Sequence, residues 1–344
     1  MRAVVISRHG PPEVLRVEER PDPPVGLGEV RVAVKAAGIN FADTLARLGL
    51  YPDAPKVPCV VGYEVAGEIE SVGEGVDSHE VGDRVIAVTR FNGQAELVSV
   101  RAENAFPLPK KLSFEQGAAF PVNYATAYAA LVVMGGLKQG ERVLIHAAAG
   151  GVGISATQVA KAIGAEIFGT ASGSKHDAIR EQGVEHPIDY RTLDFEDEVR
   201  KITGGEGVDV IMDALGPTSF RKDYRLLRQG GRLIMYGLSD IQSGTGKRDI
   251  PAAIRSLVRM PLATMPWWKS LGVMNENKGV FGLNMLHWWD REGGLDRALE
   301  PLLEGLGKGD LKPVVAEAFS FDRAPDAHRF IEERRNVGKV VLVP

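Results

Sequence analysis

Cysteine is almost missing from this chain: there is one, Cys59, in 344 residues. A single thiol excludes a disulfide framework and any zinc site built from cysteines. An excess of positive charge is missing too. The 41 Lys and Arg against 45 Asp and Glu leave a net charge of −4, so no basic stripe argues for a nucleic-acid partner. No uninterrupted apolar run reaches the ~20 residues of a membrane span, so no integral membrane segment is expected. Met1-Arg2-Ala3-Val4 enters a strand without a signal-peptide pattern, and the expected compartment is the cytoplasm. Internal repeats and low-complexity runs are absent as well. What remains, 44% hydrophobic and 25% charged residues, is the make-up of an ordinary globular protein with room for about two domains.

What is present centres on the stretch from Arg142 to Gly164. Val143, Leu144 and Ile145 form a short apolar run, as in a parallel strand covered on both faces. Ala147-x-x-Gly150-x-x-Gly153 follows, and then Val152, Ala156, Val159, Ala160 and Ile163 recur at helical spacing until Gly164 closes the helix. Strand, glycine turn and helix in that order make a dinucleotide-binding fingerprint, with alanine at the usual first glycine. Gly150 lets the backbone approach a pyrophosphate, Gly151 and Val152 complete the turn, and Gly153 lets the helix pack closely on its strand. The helix N-terminus then faces the phosphates.

About twenty residues further on, an NAD site places a carboxylate on the ribose hydroxyls. Here the second strand, Glu166 to Ala171, ends instead in Ser172-Gly173-Ser174-Lys175. Two hydroxyls and an ammonium suit a phosphate monoester, so the expected cofactor is NADPH.

The first third of the chain is β-rich. Arg2–Ser7, Glu29–Ala37, Gly62–Val72 and Asp83–Val88 read as short strands between turn clusters, which predicts an antiparallel barrel. From Asn123 strands and helices alternate: helices at Ser174–Gln182, Phe195–Ile202 and Ser219–Leu227, strands at His186–Tyr190, Val208–Ala214, Arg232–Tyr236 and Gly279–Asn284. That is the doubly wound parallel pattern. The tail predicts a helix near Leu295–Leu306, a strand at Lys312–Phe321, a helix at Ala324–Arg334 and a last strand at Lys339–Val343. No two of the 7 histidines share the helical spacing of a metalloprotease, and His146 is expected to be buried and hydrogen-bonded. Ser155 lacks the glycine pattern of a nucleophile elbow.

Together these residues resemble the medium-chain dehydrogenase/reductase superfamily over essentially the whole chain. Gly62-Tyr63-Glu64-Val65-Ala66-Gly67 is similar to its G-H-E-x-x-G signature. Asn40-Phe41-Ala42-Asp43 and Arg47-x-Gly49-Leu50-Tyr51-Pro52 look like the quinone oxidoreductase (zeta-crystallin-like) branch. Phe168 to His176, His186 to Tyr190 and Asn336 to Pro344 are similar to the vesicle amine transport protein subfamily. The resemblance implies an α/β fold, with a GroES-like β-barrel catalytic domain over 1–123 and 286–344 and a Rossmann doubly wound parallel sheet over 124–285. At the zinc-ligand positions of the superfamily's alcohol dehydrogenases stand Asn40, Tyr63 and Val122, which implies a zinc-independent member.

Without zinc to hold an alkoxide, the chemistry implied is hydride transfer from NADPH to a quinone or an α,β-unsaturated carbonyl. Asn40, Tyr51 and Tyr63 are the candidates to line the slot and donate to the developing oxyanion. By the same resemblance Thr126 faces the nicotinamide at the start of the inter-domain helix. Tyr190 lies by the adenosine phosphate, Gly237 and Leu238 border the nicotinamide ribose, Phe281 and Asn284 close the cleft, and Asn336 lies near the pyrophosphate. A homodimer is expected. The alternative is an NADPH-binding regulatory protein that contacts lipid, membrane or a partner. Trp267-Trp268 beside Lys269 suits that reading, but suits a dimer or lid contact better.

Overall fold

Val4, Val5 and Ile6 are buried, and they draw β1 (Arg2–Ile6) into an antiparallel pair with β2 (Leu15–Glu19). The computed structural model describes residues 1–241, 270–290 and 294–344. β3 (Glu29–Ile39) is the alternating strand, with Val30, Val32 and Val34 buried and Lys35 exposed. It runs into a helix, α1 (Phe41–Leu48), N-capped by Asn40 and closed by Gly49 in the left-handed region at φ 73. The apolar pattern predicts no helix there, because two turns are too few to show a period. β4 (Cys59–Val60), β5 (Glu64–Val72), β6 (Arg84–Val88), β7 (Leu97–Arg101) and β8 (Ala105–Pro107) follow. β4 joins β1, and β3 pairs antiparallel with both β5 and β7.

Two helices, α2 (Phe114–Ala118) and α3 (Pro121–Tyr128), lead into a π-helical turn at Ala129–Met134. Taken as one helical stretch, these 21 residues from Phe114 to Met134 are long and apolar enough to cross a membrane by length and composition. Glu115, Gln116, Asn123 and Thr126 interrupt its apolar residues, so it is not an uninterrupted apolar run. Burial of 72% of its most apolar window within the protein is what a core helix shows.

Strand and helix then alternate as β9 (Arg142–Ile145), α4 (Gly151–Ile163), β10 (Glu166–Ala171), α5 (His176–Gln182), β11 (His186–Asp189), α6 (Phe195–Ile202), β12 (Val208–Asp213), α7 (Phe220–Leu226) and β13 (Leu227–Met235). α8 (Ser270–Glu276), β14 (Gly279–Gly282), α9 (Met285–Trp289) and α10 (Gly294–Lys308) follow. Among the described residues the sheet has six parallel strands in the order β11-β10-β9-β12-β13-β14. Leu144, Phe168, Ile188, Ile211 and Leu233 share the core on one of its faces. The order reverses between β9 and β12, the switch point where doubly wound sheets hold ligands beyond their strand ends.

The chain returns to the first sheet as β15 (Val315–Ser320), α11 (Ala324–Glu332) and β16 (Lys339–Val343). β16 pairs antiparallel with β3 and parallel with β15, giving the order β15-β16-β3-β5-β6-β8 with β7 also on β3. An all-antiparallel barrel is therefore corrected by one parallel pair. The crossover helix α11 between its two strands requires it. Contacts gather Met1–Val122 with Lys312–Pro344 in one unit, and put the described residues between Asn123 and Leu311, including α9 and α10, in the other. The sequence expectation drew the return at 286. Trp267-Trp268 lies outside the described residues.

Inside the first unit, Arg47 of α1 is ion-paired with Glu332 of α11, and both are buried. His328, one turn before Glu332, is buried beside them. Burial first, and the Arg47 cation second, hold its pKa well below the usual imidazole value, so the ring is neutral. Removing one member of such a pair strands the other charge in the core. Glu332→Gln should cost about 3–5 kcal/mol in chemical denaturation. The double variant Arg47→Met/Glu332→Leu should recover most of that. A Glu332→Gln protein within about 1 kcal/mol of the parent would contradict this reading of the pair.

Candidate active site

Three sequence-distant segments meet at Asn40. It ends β3 and caps α1, with its backbone N–H donating to Asp43 Oδ2 at 2.8 Å. Its side chain lies between two charges: Lys339 Nζ, at the head of β16, donates to Asn40 Oδ1 at 2.7 Å. Asn40 Nδ2 donates to Oε1 of Glu64, the first residue of β5, at 3.1 Å. Lys339 is also ion-paired with Glu64, and the Val122 N–H donates to Glu64 Oε2 at 2.8 Å. Both charged side chains are out of water, at 3% and 0% exposure, while Asn40 is half-buried. Asp43 is fully buried nearby. Burial lifts its carboxyl pKa to about 7 against the pull of the Asn40 N–H and of Lys339.

Tyr63 and Tyr51 join this neighbourhood. Their hydroxyls are close enough to influence each other, and the buried Tyr63 Oη lacks a well-formed hydrogen bond. Burial raises both phenol pKa values, Tyr63 far above its ordinary range. Both therefore stay protonated near neutrality and can donate. The Tyr63 ring packs on Phe91 at 5.4 Å, and Tyr51 rests on the core between β1, β16 and α11.

In the second unit the glycine loop closes as its spacing requires. Ala147 adopts φ 53, the conformation that usually selects glycine, and its carbonyl accepts the Gly150 N–H at 2.9 Å. A Cβ on Gly153 would stand 2.3 Å from that carbonyl, so no side chain fits between helix and loop. A Cβ on Gly150 would meet nothing nearer than 3.3 Å, which leaves the space above the helix N-terminus open. Gly151 faces Asn123, Val152 is half-buried, and Thr126 is buried within α3 rather than at its start.

Beneath the loop lies a buried polar network that the sequence reading reached only at His146. His146 Nε2 meets Asp223 Oδ1 at 2.8 Å and its Nδ1 meets Thr170 Oγ1 at 3.1 Å. Burial opposes charge on this ring, but Asp223 prevails and its pKa is raised. Asp213, ending β12, accepts from the Leu215 and Gly216 N–H groups and from Ser219 Oγ. Burial, and then Asp223, push its carboxyl up. The network pins the ends of β9, β10 and β12, the three strands that meet at the switch point.

The remaining sequence candidates stand on other segments of the chain. Ser172 is buried at the end of β10 with Oγ 3.4 Å from Ser174 Oγ, and Lys175 ends the short 3-10 turn that follows. Tyr190 follows β11 and is 39% exposed. A carboxylate borders the same spot: Asp189 Oδ2 is 2.8 Å from where a Gly173 Cβ would be, though Asp189 Oδ1 accepts the Arg191 N–H. Gly237 packs on Ala214, and Leu238 lies against Gly216. Phe281 stands on β14, 40% exposed, while the Asn284 side chain caps α9 through the Leu286 N–H. Asn336 belongs to the first unit, where its Nδ2 donates to the Gly338 carbonyl. Sequence reasoning missed Lys339 and the role of Glu64. The available signal was a charged residue at the head of an apolar strand, Lys339-Val340-Val341-Leu342-Val343, since buried charges demand partners.

Comparison with known proteins agrees with this fold. Residues 26–134 match the model of the alcohol dehydrogenase GroES-like domain, and 182–342 that of the zinc-binding dehydrogenase. The synaptic vesicle membrane protein VAT-1 homolog of Rattus norvegicus is 38% identical over 353 aligned positions, covering all of this chain and 84% of that protein. The chain belongs to the medium-chain dehydrogenase/reductase family. Among solved structures, the quinone oxidoreductase of Escherichia coli complexed with NADPH superposes with a TM-score of 0.85 at 31% identity, covering 100% of both chains. The CurK enoyl reductase does so at 0.83 and 30%, covering 99% of this chain and 98% of that one. The fold is thus that of oxidoreductases of this family. Asn40, Tyr63 and Val122 bring a carboxamide, a phenol and an alkyl group to this cluster, with no thiolate, imidazole or carboxylate among them, and the Val122 main-chain N–H donates to Glu64. No group of three or more His, Cys, Asp or Glu that could hold a metal ion occurs among the described residues.

The raised Asp43 pKa has a signed consequence. Folded, this carboxyl keeps its proton up to about pH 7; unfolded, it releases it near the ordinary 3.8. Between those limits the folded state holds the extra proton, so its contribution to stability falls as pH rises through the window and is level above it. Asp43→Asn should remove that part of the slope. Denaturation midpoints at about pH 5 and about pH 7.5 check it: the parent should lose more stability over the interval than the variant. Equal losses would contradict the assignment.

Proposed function

We propose that this chain is a zinc-independent reductase that uses NADPH to reduce quinones or α,β-unsaturated carbonyls. The observation that carries the reading is the Asn40 carboxamide held between Lys339 and Glu64, with two protonated phenols beside it; the family resemblance sets Asn40 and Tyr63 at positions that hold metal in zinc relatives. A carboxamide, a phenol and a valine do not fit zinc, and the Glu64 carboxylate is already matched by an ammonium. The similar proteins named for quinone oxidoreductase and enoyl reductase activities, one complexed with NADPH, support the same chemistry.

When bound, NADPH supplies a hydride, a two-electron unit that needs no flavin. The glycine loop from Ala147 to Gly153 would hold its pyrophosphate, and Ser172, Lys175 and Tyr190 its adenosine phosphate. As carbon accepts the hydride, negative charge gathers on the conjugated oxygen of the substrate. Asn40 can donate to that oxygen, and Tyr63 or Tyr51 can donate a hydrogen bond or a proton. Simple ketones and alcohols lack this delocalisation and should react poorly. We take the working form as a homodimer in the cytoplasm, with β14, at the sheet edge and carrying an exposed Phe281, as the natural pairing surface. The relatives named as synaptic vesicle membrane proteins favour a second reading, an NADPH-binding protein that contacts membrane or a partner with little turnover.

Two measurements follow. NADPH should bind about tenfold or more tightly than NADH, since a charge-assisted contact contributes roughly 1.5–3 kcal/mol. Lys175→Ala should erase that preference, and equal dissociation constants for the parent protein would refute it. In stopped-flow assays NADPH oxidation should be driven by quinones or enals, with saturated ketones inert. Asn40→Ala should lower turnover by about 10²–10³ while leaving NADPH affinity nearly unchanged. A parent protein that binds NADPH but oxidises it with no quinone or enal faster than the protein-free control supports the second reading instead.

A further inference from the structure

A carboxamide can present either end. Facing outward with its oxygen it repels an oxyanion, and with its N–H it stabilises one. At Asn40 two buried charges make the choice. Lys339 Nζ donates to Oδ1 at 2.7 Å, and Nδ2 donates to Glu64 Oε1 at 3.1 Å. A flipped amide would set its oxygen against the Glu64 carboxylate and its NH2 against the Lys339 ammonium. Neither charge is wet enough to soften those repulsions, with side-chain exposures of 3% for Lys339 and 0% for Glu64. Glu64 is itself held, because its other oxygen accepts the Val122 N–H at 2.8 Å. The second Nδ2–H of the half-buried Asn40 makes no hydrogen bond among the described residues.

We propose that Lys339 and Glu64 are positioning residues that lock the Asn40 amide with its unused N–H outward, and that Lys339 strengthens this donor by pulling on the amide oxygen. Withdrawing electron density at Oδ1 increases the C–N double-bond character of the amide and makes its N–H more acidic. The N–H then faces the substrate oxygen without reorganising as charge develops there. This inference rests on the reductase reading for its substrate, while its geometry stands apart from it.

The kinetic test is a cycle. Lys339→Met should lower kcat about tenfold with NADPH affinity within about twofold of the parent. In an Asn40→Ala background the same change should cost less than about twofold, because its target is gone. Lys339→Arg, which keeps cation and donor, should recover most of the rate. Since Lys339→Met leaves Glu64 uncompensated and could unfold the unit, Glu64→Gln/Lys339→Met serves as a neutral second variant with the same expected loss. An equal loss with and without the Asn40 amide, or none at all, overturns the proposal. A second readout needs no turnover. With 15N-asparagine labelling, the Asn40 side-chain NH2 pair, assigned by its loss in Asn40→Ser, should show one proton protected from exchange by Glu64 and one exchanging faster in the parent, and both signals should be displaced in Lys339→Met. If the parent reduces no quinone or enone, the reductase reading fails and this readout alone judges the geometry. Unchanged Asn40 signals in Lys339→Met then overturn it.

Discussion

An ammonium and a carboxylate removed from water, Lys339 and Glu64, organise the first unit of this protein. Each charge loses hydration that the other must offset, and a buried pair succeeds when its remaining donors and acceptors are also satisfied. Here Asn40 and the Val122 N–H complete the set. Lys339 opens β16, Glu64 opens β5, and Asn40 follows β3, the strand between them in the sheet. The strand register, with Val340 beside Ile39 and Ala37 beside Val65, brings the three together. A last strand nearly three hundred residues downstream of Asn40 is thus built into the same site.

The arrangement also decides what the site can do. A carboxylate satisfied by an ammonium is a poor start for a zinc site, and its neighbours Tyr63 and Val122 are poor additions to one. What the cluster does provide is direction: an amide of fixed polarity beside phenols that burial keeps protonated. In the second unit, direction comes from the backbone. Ala147 at φ 53 and the missing side chain of Gly153 shape the loop, and the His146–Asp223 contact holds the strand ends beneath it. One unit thus holds an amide beside protonated phenols, and the other a glycine loop whose backbone leaves space above a helix N-terminus.

Local features were legible from sequence and long-range ones were not. Helix α6 and strand β16 have the bounds that their patterns predict, Phe195–Ile202 and Lys339–Val343, because period and flanking residues agree there. The glycine spacing gave α4 and its capping glycines. Helix α1 escaped because two turns show no period, and the parallel β15–β16 pair escaped because pairing direction has no local signature. The Lys339–Glu64 contact lies beyond pattern reading altogether. Each residue is unremarkable alone, and only the folded sheet shows that neither has water. Asp189 was passed over for a similar reason, since the turn that brings it beside Gly173 is a tertiary fact.

The central claim is that an oriented amide does the work a metal does in the zinc-holding relatives. The most direct test removes the metal question from the protein itself. Purified enzyme is treated with a strong zinc chelator and desalted, and the same sample is then divided between elemental analysis and a quinone-reduction assay with NADPH. The account predicts a full rate with essentially no zinc per chain. A rate that falls as zinc is stripped, and returns when zinc is restored, would contradict it.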